Sequence, residues 1–293
     1  MTSLVTRADA RRLKIGIIGL GRLGTALAWS LESHGGNVHA LASRSVTRTA
    51  ETAMRMRSCS VLTAQGVADH CDLIFVTTPD ALIAPTVEGL SWRPGSSVVH
   101  CSGATEISVL GKAAADGADI GGFHPMQTFG DALTAARTLP GCVVTIEAGE
   151  ALGARLADIA QLLGCEVNRI PAGARGRYHA AAAYASQYVN VLLDEAIRIW
   201  RSWGASEEAA LRALLPLLRG TISAMESAGV AASMPGPVSR GDVATVMKQM
   251  LSVAALGDED LAFYRTLYLR SIRIAEGAGR IDAAIANELR DLA

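Results

Sequence analysis

Three glycines with fixed spacing are the first residues in this chain whose arrangement points to chemistry. GLGRLG at 19–24 follows a short apolar run and precedes a helical pattern. In such a turn Gly19 permits the bend, Gly21 lets a pyrophosphate approach the backbone, and Gly24 lets helix and strand pack closely. An ordinary glycine turn is the alternative, but the position at the chain's first strand favours a dinucleotide site. The predicted cofactor contacts here are Gly19, Leu20, Gly21, Arg22, Leu23 and Gly24.

The residues after the second predicted strand indicate which dinucleotide binds. A site for NAD has Asp or Glu about 20 residues after the glycines, where the carboxylate accepts a hydrogen bond from the ribose 2′-hydroxyl. This chain has Ser43, Arg44 and Ser45 instead. An isolated arginine is more often solvated. Because the acid is missing, however, and a guanidinium between two hydroxyls suits a 2′-phosphate, the segment predicts NADP(H).

Later strand ends supply further candidates. The run that ends at residue 78 places Thr77, Thr78 and Pro79 at the carboxyl edge of the sheet, where ligands of open α/β sheets bind. Asp80 follows, either as a cofactor contact or as a helix N-cap. Ser102 follows the next strand and is predicted to contact the cofactor and to assist catalysis, with helix capping as the alternative.

His124 is the first candidate for proton transfer. The motif GGFHPMQ at 121–127 is interpreted as a rigid turn that holds His124 at the same edge. Reduction of a C=O or C=N bond needs a hydride donor and a proton donor near the developing anion, and histidine titrates close to working pH. A structural histidine is the alternative. Gln127 in the same motif is predicted to contact the substrate.

The helical half supplies a second set of polar candidates. His179, Ser186 and Asn190 would fall within about 40° of one another on one continuous helix, as a polar stripe among alanines. His179 and Asn190 are predicted to be catalytic and Ser186 to bind substrate, whereas helix packing is the alternative. Arg240 is predicted to bind a substrate carboxylate, and Asp242 to cap the next helix.

Hydrophobic patterning predicts the elements that position these residues. Nearly continuous apolar runs, typical of buried parallel strands, occupy 14–19, 37–42, 72–78, 97–101, 142–147 and 165–170. Helical spacing follows at 178–203, 206–228, 242–256 and 258–277, with a Pro-Gly-Pro loop at 235–237. We therefore predict an α/β fold: a doubly wound parallel sheet in an NADP-binding domain at 1–171, then an all-helical substrate and dimerisation domain at 172–293.

Composition excludes several classes of protein. The 27 Lys and Arg nearly balance 28 Asp and Glu, and no long basic run is available to bind nucleic acid. The five cysteines are widely spaced with no C-x-x-C pair, so we expect small buried side chains in a reducing compartment and no metal site. Neither a signal peptide nor a membrane span is predicted. We expect a cytoplasmic protein.

The motifs together resemble a known family. The chain is similar to bacterial Rossmann-like proteins that carry the helical domain DUF2520, and the resemblance spans most of the sequence. It is carried by GLGRLG (19–24), TTPD (77–80), CSG (101–103), GFHPMQTF (122–129), YHAAA (178–182) and GPVSRGD (236–242).

This resemblance implies an NADP-dependent enzyme and a homodimer. More distantly the chain resembles pyrroline-5-carboxylate reductase and prephenate dehydrogenase, whose helical domains mediate dimerisation, and the His-Pro turn of the latter implies acid-base chemistry at His124. It also looks like a group that includes an alternative ketopantoate reductase. Two departures stand out. Arg175 stands where members often have lysine, and no lysine follows Ser102.

The predicted function is NADPH-dependent reduction of a small carboxylate-bearing carbonyl compound, for which a branched 2-oxo acid such as ketopantoate is one candidate. Reduction of a cyclic imine is the first alternative. A cofactor-binding sensor or scaffold without turnover is the second.

Overall fold

A computed structural model describes residues 12–292. The chain forms two compact units, Met1–Ser186 and Gln187–Ala293. Within the described residues the first unit contains one sheet flanked by helices, and the second is helical. The predicted α/β fold class is confirmed. Strands end at Arg169 and helices resume at Arg175, close to the predicted boundary, but that first helix belongs to the first unit.

The sheet of the first unit has eight strands in the order β3-β2-β1-β4-β5-β6-β7-β8. They are β1 (Ile15–Ile18), β2 (Val38–Ala42), β3 (Ser60–Val61), β4 (Leu73–Val76), β5 (Ser97–His100), β6 (Asp119–Pro125), β7 (Val143–Ala148) and β8 (Glu166–Arg169). β1, β4 and β5 are buried along their whole length, as expected for strands covered on both faces.

Two features of the sheet differ from the sequence prediction. The predicted parallel sheet holds for most strand pairs, but β7 runs antiparallel to β6 and is joined in parallel by β8. The turn predicted around His124 is wrong, because Asp119–Pro125 is a strand. Its glycines serve close packing: a Cβ on Gly122 would overlap Nη2 of Arg175, and one on Gly121 would lie 3.0 Å from Cβ of Ala148.

Helices cover both faces of this sheet. Leu27, Leu31 and Leu156 are buried on one face, and Ile83 and Val87 on the other. The helices are α1 (Arg22–Ser33), α2 (Val46–Ala53), α3 (Ala64–His70), α4 (Asp80–Glu88), α5 (Gly111–Ala115), α6 (Ala132–Thr138), α7 (Glu150–Leu162) and α8 (Arg175–Ala185), with a 3₁₀ helix at Ile107–Leu110.

The second unit is built around a core that includes Val246, Tyr268, Ile272 and Leu289. Asp242 accepts a hydrogen bond from the Thr245 N–H, which confirms the predicted helix cap. The helices are α9 (Gln187–Arg201), α10 (Glu207–Ala228), α11 (Val230–Ser233), α12 (Val243–Ala254), α13 (Asp258–Gly277) and α14 (Ala283–Asp291), with a 3₁₀ helix at Val238–Arg240.

The long helix predicted over 178–203 is interrupted. α8 ends at Ala185 and α9 begins at Gln187, and Ser186 between them has φ −131° and ψ −82°, outside the helical region. The Ser186 hydroxyl donates to the Ala182 carbonyl at 2.8 Å. The polar stripe of His179, Ser186 and Asn190 assumed a continuous helix, so that prediction is wrong.

Within residues 12–292, no helix is both long and apolar enough to cross a lipid bilayer. The same stretch contains no cluster of three or more histidine, cysteine, aspartate or glutamate side chains that could hold a metal ion. The five cysteines, all inside this range, are free thiols.

Candidate active site

The glycine turn joins β1 to α1 with a geometry that only glycine fits. Gly19 has φ +108°, and a Cβ there would lie 2.8 Å from the backbone of Thr77. A Cβ on Gly24 would overlap the carbonyl oxygen of Gly19, which also accepts a hydrogen bond from the Thr77 hydroxyl. Around Gly21, by contrast, the 4 Å beyond an ideal Cβ is open. The turn is therefore tight against β4 and open on the side where a ligand can approach.

A cavity of about 890 Å³ opens at the carboxyl ends of β1, β2, β4 and β5. This volume is in the usual range for small-molecule and cofactor sites. Its wall includes all the predicted cofactor contacts except Gly24, which lies beneath the turn: Gly19, Leu20, Gly21, Arg22, Leu23, Ser43, Arg44, Ser45, Thr77, Thr78, Pro79 and Ser102.

One end of this cavity is strongly cationic. Arg22, Arg44 and Arg48 line the cavity, and Asp80 is the one carboxylate in its wall. Arg44 is exposed and makes no hydrogen bond or ion pair within residues 12–292. The Arg48 guanidinium reaches the carbonyl of Leu20 at 3.5 Å, which places it beside the glycine turn. Such a wall favours a polyanionic ligand.

The hydroxyls flanking Arg44 shape the loop. Ser43 Oγ lies 2.8 Å from the hydroxyl of Thr49 and donates to the Ser45 carbonyl at 3.0 Å. Ser45 Oγ accepts from the Arg48 N–H and caps α2. Both serines therefore hold the loop that presents Arg44.

Residues 100–105 form a second turn at this edge. The Ser102 hydroxyl accepts from the N–H groups of Ala104 and Thr105 at 3.2 and 3.0 Å. The Ser102 N–H donates to Nδ1 of His100 at 3.2 Å, and burial lowers the pKa of His100 to about 3. His100 is therefore a neutral structural histidine, and Ser102 caps a turn rather than a helix.

Arg175 of α8 ties this turn to the sheet. It is wholly buried, with Nε donating to the Glu147 carboxylate on β7 and Nη1 donating to the Ser102 carbonyl at 2.6 Å. Removing one partner of such a buried pair costs about 3–5 kcal/mol, because the other charge is then left uncompensated. Arg175 and Glu147 therefore fix the position of the turn that carries Ser102.

His124 lies at the carboxyl end of β6, next to this turn. Nδ1 is 2.7 Å from the Tyr178 hydroxyl, and the ring meets those of Tyr178 and His179 edge to face at 5.5 and 6.1 Å between centroids. A Cβ on Gly103 would lie 2.9 Å from Nε2 of His124. His124 therefore packs against Gly103, the residue that follows Ser102, and Ser102 lines the cavity.

His124 is held neutral. Burial lowers its pKa to about 4, with His179 and Arg175 adding to the shift and Asp80 opposing it. Burial raises the pKa of the Tyr178 phenol, so this hydroxyl keeps its proton, and hydrogen bonding to the Thr145 hydroxyl opposes that shift. A neutral imidazole backed by a phenol can donate a hydrogen bond to an oxygen on which charge develops.

The remaining predicted residues lie elsewhere. The Gln127 amide donates to Thr138 at 2.5 Å and to the Ala135 carbonyl at 3.4 Å, so it joins the end of β6 to α6. Ser186 ends α8. Asn190 and Arg240 belong to the second unit, where Arg240 is exposed at the end of a 3₁₀ helix.

Two site residues were missed at the sequence level. Arg48 follows Arg44 by one helical turn, a spacing that could have indicated a second cation at the same site. Tyr178 precedes His179, but its contact with His124 joins residues far apart in the chain, and no local pattern signals it.

Two family models match the sequence and together span most of it. Residues 2–125 match a Rossmann-like domain, and residues 142–271 match DUF2520, a domain of unknown function. The chain therefore contains a Rossmann-like domain followed by a DUF2520 domain. This confirms the resemblance drawn from the motifs. No curated protein matches the sequence.

Several solved structures share the fold of this chain. Protein TM1727 of Thermotoga maritima is 23% identical with a TM-score of 0.74, covering 90% of this chain and 98% of its own. A reductive aminase of Aspergillus terreus, in complex with NADPH and ethyl levulinate, is 18% identical with a TM-score of 0.66, covering 96% and 99%. A pyrroline carboxylate reductase of Plasmodium falciparum, with NADP bound, is 14% identical with a TM-score of 0.59, covering 96% and 98%. At these identities the likeness shows the fold.

Proposed function

We propose that this protein is an NADP-dependent oxidoreductase that reduces the C=O bond of a small carboxylate-bearing compound. The observation that carries the proposal is one cavity with a glycine turn and three arginines in its wall, bordered by the turn that packs against His124. The NADP-bound reductases that share the fold support the same activity.

The residues present fit NADP(H). The open approach at Gly21 and the N-terminus of α1 suit the pyrophosphate, and Arg44 with Arg48 suits a 2′-phosphate. Thr78 Oγ1 is buried in the cavity wall and has no hydrogen-bond partner among the described residues, so a bound ligand could satisfy it. When bound, the reduced cofactor would supply a hydride.

His124 would then stabilise the developing alkoxide and pass it the Nε2 proton, while the Tyr178 hydroxyl gives its proton to Nδ1 and regains one from solvent. For this the proton must lie on Nε2, with Nδ1 accepting from the Tyr178 hydroxyl. Because His124 is neutral, it donates as an imidazole rather than as an imidazolium. His179, exposed beside the His124 ring, is the rival donor. Ser102 and Arg175 would hold the turn against which His124 packs.

For the substrate we propose a branched 2-oxo acid such as ketopantoate. A second candidate is a cyclic imine, because reductases of C=N bonds share the fold. A third candidate is a cofactor-binding sensor without turnover.

An NADPH-oxidation assay separates these functions. Branched 2-oxo acids should be reduced, whereas the matching 2-oxo amides, which lack the carboxylate, should react poorly. Turnover of cyclic imines alone would establish the second candidate. Tight NADPH binding by calorimetry with no turnover of either class would favour the sensor.

We also propose that residues 172–293 mediate a homodimer. Large apolar side chains are exposed in the second unit, including Trp203 (60%), Leu217 (65%) and Leu251 (66%). Exposed apolar surface of this kind is typical of interfaces. Light scattering at micromolar concentration with NADPH should give the mass of a dimer; a monomeric mass would contradict this proposal.

A further inference from the structure

The two outermost strands on one side of the sheet, β7 and β8, each begin immediately after a cysteine. Cys142 precedes β7 and Cys165 precedes β8, and the parallel register pairs the next residues, Val143 with Glu166. The backbone ladder continues through both cysteines. The Glu166 N–H donates to the Cys142 carbonyl at 3.0 Å, and the Gly141 N–H donates to the Gly164 carbonyl at 2.8 Å.

This register places the two sulfurs in contact. Sγ of Cys142 lies 3.7 Å from Sγ of Cys165. Adjacent strands are about 4.8 Å apart, within the usual range of about 4.4–6.8 Å between the Cα atoms of a disulfide. The strand spacing therefore allows a disulfide between these two side chains.

The two thiols differ in exposure. Cys142 is half-buried, whereas Cys165 is only 6% exposed and donates to the Leu139 carbonyl at 3.2 Å. The hydrogen bond with Cys165 lowers the pKa of the Cys142 thiol, and the same bond together with burial raises the pKa of Cys165. A reagent from solvent therefore reacts first with Cys142, which is the more accessible thiol and the one that loses its proton more readily.

We propose that Cys142 and Cys165 form a redox site that is oxidised by hydroperoxides to a reversible disulfide. The Cys142 thiolate attacks one peroxide oxygen, the O–O bond breaks, and the leaving oxygen departs as water or an alcohol after taking up a proton. The resulting sulfenic acid is attacked by the Cys165 sulfur. The S–S bond forms as the S–OH bond breaks, and hydroxide leaves as water with the Cys165 proton. The two thiols supply the two electrons that reduce the peroxide.

Peptide mapping tests this site directly. Trypsin cleaves after Arg137, Arg155 and Arg169, so Cys142 lies in peptide 138–155 and Cys165 in peptide 156–169. Protein treated with one equivalent of hydrogen peroxide, alkylated and digested without reductant should yield these two peptides joined, lighter by two hydrogens than their sum. A dithiol should release them. This result does not depend on the proposed oxidoreductase activity.

Variants and an internal control sharpen the result. Cys165→Ser should leave Cys142 as a sulfenic acid that a 1,3-diketone probe labels, whereas Cys142→Ser should give no label. Cys59 is the internal control, because it is also half-buried while burial raises the pKa of its thiol to about 11. It should remain open to alkylation. Oxidation of Cys142 to a sulfinate without joined peptides, or oxidation of Cys59 at the same peroxide dose, would overturn the proposal.

Discussion

The two ends of the candidate site are built in different ways. The nucleotide end consists of a glycine turn and exposed arginines, contributed by segments that directly follow β1 and β2. The chemical end consists of buried and half-buried side chains from three separate parts of the chain: His124 on β6, Glu147 on β7, and Arg175 with Tyr178 on α8. Affinity is therefore expected to depend on local sequence, and reactivity on distant contacts that hold one histidine in place.

His124→Ala should have the largest effect and act at the chemical end alone. A positioned proton donor contributes roughly 10²- to 10⁴-fold to the rate, so kcat should fall by about that factor while NADPH affinity stays the same. His179→Ala should change kcat much less. Steady-state kinetics, calorimetry and thermal melting of both variants check this. Normal turnover by His124→Ala, or loss of turnover only because the variant unfolds, would show that His124 is not the proton donor of the chemical end.

Stability at acid pH should report on the chemical end. The unfolded chain protonates His100 near its ordinary pKa of 6.5, whereas the buried side chain has a pKa of about 3. Between these values the unfolded state binds more protons, so stability is lost as pH falls from about 6.5 towards 3, by an amount on the order of a few kcal/mol. His100→Asn should flatten the decline of Tm over this range. An equal decline of Tm with pH in the parent and the variant would contradict the prediction.

Arg44→Ala should act at the nucleotide end alone. Loss of a charge-assisted hydrogen bond to phosphate costs about 1.5–3 kcal/mol, so NADPH affinity should fall by roughly 10- to 100-fold while NADH affinity and kcat change little. Calorimetry with both cofactors measures this. Equal affinities for NADPH and NADH in the parent protein would remove the argument for a 2′-phosphate site.

Tyr178→Phe should have the smallest effect. It removes the hydrogen bond at Nδ1 of His124 and leaves the ring contact, so kcat should fall by about tenfold or less, in line with roughly 1 kcal/mol for one hydrogen bond. The acidic limb of the pH profile of kcat should shift while Tm stays nearly constant. An unchanged kcat and pH profile would show that Tyr178 only packs against the histidine.

The nucleotide end was predictable because each of its signals is local. The bend at Gly19, the open approach at Gly21 and the packing at Gly24 all follow from spacing within six residues. The helix cap at Asp242, in the second unit, was predictable for the same reason, because it depends on a residue three positions away. The same locality explains why the apolar runs at 14–19, 72–78 and 97–101 predicted the buried strands β1, β4 and β5.

The chemical end was less predictable because its causes lie elsewhere in the chain. Gly121, Gly122 and Pro125 favour a turn locally, yet they belong to the strand β6. The reason for a glycine at 122 is its contact with Arg175, which is distant in the sequence. The helix break at Ser186 carries neither glycine nor proline. The pairing of Cys142 with Cys165 follows from the register of β7 and β8, which sequence spacing alone does not reveal.

The buried pair of Arg175 and Glu147 also decides how this protein could be dissected. A fragment that stopped at residue 171, where the sequence turns from strands to helices, would leave Glu147 buried without its cation and the Ser102 carbonyl without its donor. A fragment that continued to Ser186 would keep both, together with Tyr178 beside His124. The shortest autonomous cofactor-binding half of this chain therefore includes the first helix of the segment that follows the sheet.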